Sequence, residues 1–350
     1  MVMLAHCNRL LPWQFSKYIY VYTGFTGVEL FFVLSGFLIG SILFRSFYNE
    51  TIPVGTQLKN FWISRWLRTL PLYYLLLLFN FLFYNYALKL PAGNWRYLFF
   101  LQSIHWPTTN FLHPGFFGES WSLAVEEWFY LLFPLLIFQI AKFSRGNEGL
   151  KRVLFCTIVF IIIELILKFW VAYTTNFYWG NVMYKPTILR LDSCAYGIIL
   201  ACIVHFNPQF KISKVGMWII IPLLILMVLL CLYQIYLPDL INYRIVKVIV
   251  FPANSLFCVL AINYFRNISI RNEVFKKTIV ILSLCSYSLY LIHLPIETTL
   301  NGLVLHAGLP KNLALFLYFI LPVAAAFLMF RFFELPVLNY RNSILKKPLN

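Results

Sequence analysis

The stretch GFTGVELFFVLSGFLIG, residues 24–40, decides the fold class, because Glu29 is its only charged side chain. A helix needs about 20 predominantly apolar residues to cross the ~30 Å hydrocarbon core of a membrane, and this stretch reaches that length with its flanks. The whole chain is 61% hydrophobic and 11% charged, with a mean hydropathy of +0.78. Soluble domains carry about 25% charged residues. The sequence therefore predicts an integral membrane protein.

Similar apolar runs recur along the 350 residues and predict nine complete membrane spans. Helices are favoured over strands because barrel strands alternate in polarity, whereas these runs are continuously apolar. The predicted fold class is all-α, a polytopic transmembrane helix bundle. The predicted spans are 27–44, 70–88, 121–141, 153–174, 188–206, 215–237, 245–265, 278–298 and 312–332.

The net charge of +16 would suggest a nucleic-acid partner in a soluble protein, but here the basic residues fall mostly in loops between the predicted spans. No nucleic-acid partner is expected. Of the 28 Lys and Arg residues, 18 lie in one set of alternate loops and nine in the other. Because cytoplasmic loops collect the basic excess, the richer side and the C-terminus are predicted to face the cytoplasm.

This topology places the start of the chain on the outer side of the membrane. A cytoplasmic N-terminus would need one more span before residue 27, and the apolar residues 1–7 supply only part of it. We therefore expect the chain to lack the first half of a tenth helix, through a misassigned start or a truncation. The alternative is a nine-span protein with an external N-terminus.

A single membrane domain, residues 1–350, is predicted, because the sequence shows no internal repeat, low-complexity tract or linker and no separate soluble domain. The seven cysteines occur singly, which indicates neither a disulfide framework nor a CxxC metal site. No metal is expected. Ser35 with Gly36 is interpreted as a point of close helix packing rather than as a nucleophile, since small residues let membrane helices approach.

Charged residues inside predicted spans are candidates for function, because they are costly in lipid. Glu164 and Lys168 are four residues apart, so they share a helix face and are expected to neutralise each other. Arg190 and Asp192 are two apart and point in different directions, so each is expected to need a partner elsewhere.

Two further features leave their functional and structural interpretations open. Arg65 and Arg68 are three apart and present a double guanidinium face that suits phosphate oxygens, but they are also typical of a positive-inside pair at the membrane surface. His6 could act as a general base at neutral pH or be an interfacial histidine.

Six segments in the same order resemble the large membrane acyltransferase family three, which includes bacterial O-antigen and peptidoglycan O-acetylases. The resemblance covers the chain from end to end and implies a ten-helix core, of which this chain would hold nine spans and part of the first. The segments are GFTGVELFFVLSGFLIG (24–40), FWISRWLRTLPLYY (61–74), ESWSLAVEEWFYLLFPLL (119–136), RLDSCAYGIILA (190–201), SYSLYLIHLP (286–295) and FRFFELP (330–336).

The resemblance also implies roles for individual residues. VMLAHCNRL, residues 2–10, matches the end of the family's first helix and puts its catalytic base on His6. The family's arginine, eleven positions earlier, would fall before the first residue of this chain. Arg65 and Arg68 would hold the phosphates of acyl-coenzyme A, and Glu126, preferred to Glu127, would orient the base or bind sugar hydroxyls. Weaker candidates for the substrate tunnel are Glu29, Arg190, Asp192 and His293.

The function implied by the resemblance is transfer of an acyl group, acetyl in the first instance, from cytoplasmic acyl-coenzyme A to a hydroxyl of a cell-surface carbohydrate or lipid-linked glycan. Such an enzyme would lie in the bacterial inner membrane as a multi-pass protein in contact with membrane lipid. A transporter or flippase, or a catalytically inactive relative, is the alternative.

Overall fold

The computed structural model describes residues 1–7, 10, 13–47, 52–83, 85, 95–105, 116–144, 146–175, 180–210, 218, 222 and 244–346. Within these ranges the regular structure is helical throughout. Eleven α-helices are numbered here in chain order: α1 (Val2–His6), α2 (Trp13–Phe47), α3 (Val54–Leu82), α4 (Ser120–Phe143), α5 (Gly146–Thr174), α6 (Leu191–Phe206), α7 (Arg244–Phe265), α8 (Glu273–Leu284), α9 (Ser286–His306), α10 (Lys311–Met329) and α11 (Leu335–Lys346).

Short helical turns connect some of these helices. Two are 3₁₀ turns and two are π turns: Trp95–Phe99, Thr187–Leu189, Gly180–Tyr184 and Phe330–Glu334.

Five helices in the described ranges are long and apolar enough to cross a membrane, which confirms an all-helical, multi-pass architecture. They match five of the nine predicted spans. These helical segments are Thr23–Ser46, Ser120–Phe143, Gly146–Thr174, Arg244–Phe265 and Lys311–Leu345.

The other four predicted spans have different outcomes, so the count of nine stays a prediction. The span predicted at 188–206 is an apolar helix, Leu191–Phe206, that is shorter than a full crossing. Of the one predicted at 70–88, residues 70–82 form the second half of α3, which begins at Val54, and residues 84 and 86–88 lie outside the described ranges. The one predicted at 215–237 lies outside the described residues, apart from isolated positions within it.

The span predicted at 278–298 is not one straight helix. Glu273–Leu284 and Ser286–His306 meet at Cys285 with a bend of 65°, and together they count as one broken span or a re-entrant segment. Cys285 lies at the bend with φ of −83° and ψ of −2°. The bend directs the start of α9 toward α3, where Tyr287 donates a hydrogen bond of 2.7 Å from its hydroxyl to the carbonyl oxygen of Thr69.

Helix α2 forms the centre of the bundle and packs against α1, α4, α6 and α7. Its contact with α6 depends on two glycines. A Cβ atom at Gly36 would lie 1.9 Å from the carbonyl oxygen of Cys194, and one at Gly197 would lie 2.0 Å from that of Val33. The predicted close packing at Gly36 is confirmed, since only glycine lets the two backbones touch.

The outer faces of the helices are apolar as well. Leu78 on α3, Phe155 and Ile163 on α5 and Phe316 on α10 are each more than half exposed. A helix that is apolar both toward its neighbours and away from them is suited to hydrocarbon rather than water. The surface therefore agrees with the membrane location inferred from composition.

Candidate active site

Helix α4 supplies one wall of the candidate site. Glu119, Ser122, Glu126 and Tyr130 follow one another at spacings of three or four residues, so they line one face of the helix end. All four are buried, and they include hydrogen-bond partners of groups on α2 and α9. The face therefore runs as a polar stripe through an otherwise apolar helix.

Glu126 is held in the middle of this stripe. The Ser35 hydroxyl on α2 donates a short hydrogen bond to Glu126 Oε1, and the Tyr130 hydroxyl donates to Ser35 Oγ at 3.0 Å. Glu126 is 3% exposed. Ser35 was predicted only as a packing residue, and its hydrogen bond to the carboxylate is a feature that the sequence pattern did not indicate.

Glu127 has a different partner. The Thr69 hydroxyl donates to Glu127 Oε1 at 2.7 Å, while the Thr69 carbonyl oxygen accepts from Tyr287. These contacts tie α4 to α3 and α9. Glu126, which the sequence analysis preferred, is the carboxylate whose contacts reach α2.

Arg65 and Arg68 lie at the end of the stripe. The Arg65 guanidinium lies over the Tyr130 ring, 5.1 Å from its centroid, and both arginines are close enough to Glu126 for their charges to act on it. Within the described residues, neither forms a salt bridge with a carboxylate. Arg68 is exposed and Arg65 partly so, and their charges therefore remain available to an anion.

Two tryptophans hold the arginine segment against α4. Trp62 donates from Nε1 to the carbonyl oxygen of Tyr130 at 3.0 Å, and its ring stacks on Trp66 with centroids 5.9 Å apart and an angle of 6° between the planes. The helical segment around Arg65 is thus held beside Tyr130 of α4.

His6 and His293 lie at the other end of the stripe. His6 is the last residue of α1, and its ring centroid is 5.1 Å from that of His293 on α9. His293 is 0% exposed, and its Nδ1 is 2.6 Å from the carbonyl oxygen of Tyr290. The Tyr290 hydroxyl in turn contacts Ser122 Oγ and donates to the Glu119 carbonyl oxygen at 3.0 Å. The structure therefore brings the two sequence-predicted histidines together.

The length of the site follows from the rise of α4. Ser122 adjoins the histidine end and Tyr130 the arginine end, and eight residues of α-helix rise about 12 Å. Glu126 lies midway, one turn from each. The three residue types that the resemblance singled out thus follow each other along one continuous wall.

A separate buried charge cluster occupies another face of α2. The Arg190 Nη2 donates to Glu29, which also accepts from the Ser255 hydroxyl, and Lys168 donates to Asp192. Arg190 is 0% exposed, and its guanidinium lies 4.6 to 5.8 Å from the centroids of four aromatic rings: Phe25, Phe32, Tyr184 and Phe251. The expectation that Arg190 and Asp192 find partners elsewhere is confirmed.

The expected pairing of Glu164 with Lys168 is corrected by this cluster. Lys168 reaches Asp192 on α6 instead, because α5 packs against α6 and brings this carboxylate within ion-pair distance. Glu164 Oε2 is buried without a hydrogen-bond partner among the described residues.

Glu29 lies on a different face of α2 from Ser35. Phe25, Glu29 and Phe32 follow the helical repeat on one face, whereas Phe31 and Ser35 lie on another and contact Tyr290 and Glu126. Three of the weaker tunnel candidates, Glu29, Arg190 and Asp192, are therefore brought together with one another, and only the fourth, His293, adjoins His6.

No group of three or more His, Cys, Asp or Glu side chains that could hold a metal ion occurs in the parts of the chain that the structure describes. The six cysteines within them are free thiols, and Cys231 lies outside them.

The sequence is similar to those of known O-acetyltransferases. The chain is 27% identical over 348 residues to the O-acetyltransferase OatA of Staphylococcus aureus (strain NCTC 8325 / PS 47), covering 90% of this chain and 52% of that protein. It is 28% identical over 208 residues to the peptidoglycan O-acetyltransferase OatA of Listeria monocytogenes, covering 54% of this chain and 30% of that protein. The chain spans about half the length of the Staphylococcus relative. No solved structure matches it.

The family itself is identified by a match over nearly the whole chain. The sequence profile of the acyltransferase domain matches residues 1–331, which include His6, both arginines, Glu126 and His293. The chain therefore belongs to the acyltransferase family that its six sequence segments resemble.

Proposed function

We propose that this protein is an integral membrane O-acyltransferase that moves an acyl group, acetyl in the first instance, from acyl-coenzyme A to a hydroxyl of a cell-surface carbohydrate. The observation that carries the proposal is the continuous wall that links the histidine pair, Glu126 and the two arginines. Family membership and the O-acetyltransferase relatives support the reaction type.

The donor is proposed to bind at the arginine end of the wall. Arg65 and Arg68 share a helix face, lack carboxylate partners within ion-pair distance in the described ranges, and are accessible. Guanidinium groups form bidentate, charge-assisted hydrogen bonds with phosphate oxygens. Acyl-coenzyme A carries phosphates at one end and the thioester at the other, so it can extend along α4 toward His6.

The chemistry is proposed to occur at His6. Its imidazole takes the proton of the acceptor hydroxyl, the hydroxyl oxygen attacks the thioester carbonyl, and the thiolate leaves with the proton that His6 returns. A positioned general base contributes roughly 10² to 10⁴ in rate. Relay of the acyl group through His6 is the second route compatible with the same residues.

Glu126 is proposed to orient the reacting groups between the two ends. Its Oε1 accepts a hydrogen bond from Ser35, and a carboxylate has about four lone-pair sites, so it can accept further hydrogen bonds. A carboxylate in this position can accept hydrogen bonds from sugar hydroxyls or from the donor's amide groups.

The proposed topology follows from the basic loops: arginines and C-terminus toward the cytoplasm, histidines toward the outer half of the membrane. Acyl transfer would then deliver the ester to the outer surface. The Listeria relative is named for peptidoglycan, so a glycan of the bacterial envelope, free or lipid-linked, is the proposed acceptor.

The proposal is tested in cells that lack the native gene and are supplied with wild-type protein or His6→Ala. Ester-linked acetate is released from the isolated envelope by mild base and quantified. Acetate that depends on wild-type protein and falls at least tenfold in His6→Ala would support the proposal, with the exposed His306→Ala on α9 as the matched control. If cells supplied with the wild-type protein contain no ester-linked envelope acetate, the proposal is contradicted. Solute flux through vesicles that contain the protein would in that case support a transporter.

A further inference from the structure

The proton on His293 is fixed by its own helix. The Nδ1 atom lies 2.6 Å from the carbonyl oxygen of Tyr290, one turn earlier in α9. A carbonyl oxygen only accepts hydrogen bonds, so Nδ1 must be the protonated nitrogen. In the neutral ring, Nε2 is therefore an acceptor with a free lone pair.

This Nε2 atom is buried and has no hydrogen-bond partner among the described residues. The whole residue is 0% exposed. Buried polar atoms in native proteins are nearly always paired, so an acceptor left open in this position calls for a partner that completes it.

His6 is the neighbour best placed to be that partner. Its ring centroid is 5.1 Å from that of His293, with 54° between the planes. Because ring nitrogens lie outside the centroids, a rotation of the His6 side chain can bring one of its N–H groups to the roughly 2.9 Å that an N–H hydrogen bond requires.

Both rings are mounted on fixed backbone. The Met3 carbonyl oxygen in α1 accepts a hydrogen bond of 3.1 Å from the Tyr318 hydroxyl. Gly27 of α2 packs closely on α1, since a Cβ atom there would lie 3.0 Å from Val2 Cγ2. On the other side, Tyr290 stacks on Phe31 with centroids 5.9 Å apart and an angle of 13°. The pair can therefore adjust by side-chain rotation while the helices stay in place.

We propose that His293 is a positioning residue for His6: its Nε2 accepts a hydrogen bond from one ring N–H of His6 and leaves the other His6 nitrogen unprotonated and directed at the acceptor hydroxyl. The inference rests on the proposed function. It adds the group that selects the His6 tautomer. In enzymes with a nucleophile and a general base, a third group commonly orients the base in this way.

The bond changes remain those of the proposed reaction. The hydroxyl proton moves to the unprotonated nitrogen of His6, the carbon–oxygen bond forms as the carbon–sulfur bond breaks, and His6 returns the proton to the thiolate. His293 keeps its own proton on Nδ1 throughout and only accepts the hydrogen bond from His6.

The experiment compares His293→Phe, which removes the acceptor but keeps a ring, with His293→Gln, whose amide oxygen can take the place of Nε2. The initial rate of labelled acetate incorporation into the envelope is measured in cells lacking the native gene, and acetyl-coenzyme A binding is measured on each purified protein. His293→Phe should lower the rate roughly 10- to 100-fold, as the loss of an orienting partner does elsewhere, with donor binding within twofold of wild type. His293→Gln should restore at least tenfold over His293→Phe.

A double variant separates positioning from general damage. If His293 acts through His6, adding His293→Phe to His6→Ala should lower the residual rate no further, because the two residues act as a unit. A His293→Phe protein with wild-type rate, a His293→Gln protein no better than it, or loss of donor binding in both would overturn the inference. Failure of the proposed function would show separately, as absence of incorporation in the wild-type arm itself.

Discussion

The buried ion pair between Arg190 and Glu29 allows the sharpest stability prediction. Both side chains are 0% exposed, and the Glu29 carboxylate has the Arg190 guanidinium and the Ser255 hydroxyl as its partners. Arg190→Met keeps most of the side-chain volume but leaves Glu29 as a buried charge with one hydroxyl partner. The variant should therefore be less stable than the wild type.

The size of the effect follows from breaking a buried pair at one end. Removing one partner typically costs 3–5 kcal/mol, because the other charge remains desolvated. Loss of the cation–π contacts with four surrounding rings adds to this, since a desolvated contact of that kind is worth about 2 kcal/mol or more. For a chain of this size the shift in apparent melting temperature should be on the order of 10 °C.

The assay is thermal unfolding of detergent-purified protein, with acetyl-coenzyme A binding measured below the melting transition. The double variant Arg190→Met, Glu29→Gln removes both charges and should recover more than half of the lost melting temperature. Donor binding should persist in both proteins at low temperature. A single variant that melts like the wild type but no longer binds the donor would refute the reasoning and return Arg190 to the substrate path.

Three further outcomes are expected from other parts of the molecule. Gly36→Ala should lower the melting temperature, because overpacking costs typically 1–3 kcal/mol and a Cβ there meets backbone at 1.9 Å, whereas Gly302→Ala, with nothing within 4 Å, should not. Glu126→Gln should reduce envelope acetate roughly 10²-fold, as loss of a positioned acid–base or orienting group does, while donor binding is retained; unchanged acetate would remove this residue from the mechanism. Lys168→Met should destabilise the protein while Glu164→Gln has little effect, and the reverse order of melting temperatures would restore the local pairing.

Much of the site could be predicted from the sequence because its residues occur in segments with a family pattern. The sequence pattern predicts site roles for His6, Arg65, Arg68 and Glu126 without any information on their mutual placement. The structure places them along one face of α4 or beside it. Hydropathy likewise predicted nine spans, of which five are confirmed in the described ranges, since apolar length is a property of the sequence alone.

The parts that could not be predicted depend on tertiary contacts. Nothing in the order of residues indicates that Lys168 prefers Asp192 over the nearer Glu164, since that choice depends on how α5 packs on α6. Ser35 was interpreted as a small packing residue because the carboxylate that accepts its hydrogen bond, on Glu126, lies 91 positions away in the sequence.

Helix ends and bends were also missed, for a physical reason. Hydropathy detects where lipid begins and not where a helix begins, so the charged first half of α3, from Val54, was left out of the predicted span. The 65° bend at Cys285 lies within a predicted span, and the nearest helical proline is ten residues later, at Pro295 in α9, so hydropathy alone did not indicate it.

The central claim is tested most directly by acetyl-coenzyme A binding to the purified protein. Wild type is compared with two double variants, one carrying Arg65→Ala with Arg68→Ala and the other carrying Arg45→Ala with Lys59→Ala. The second double variant removes the same charge from exposed residues on the same predicted side of the membrane. We expect the first to lose roughly 10- to 100-fold in affinity, as expected from lost charge-assisted hydrogen bonds, and the second to stay within about twofold of wild type. Equal losses in both variants, or none in the first, would contradict the account.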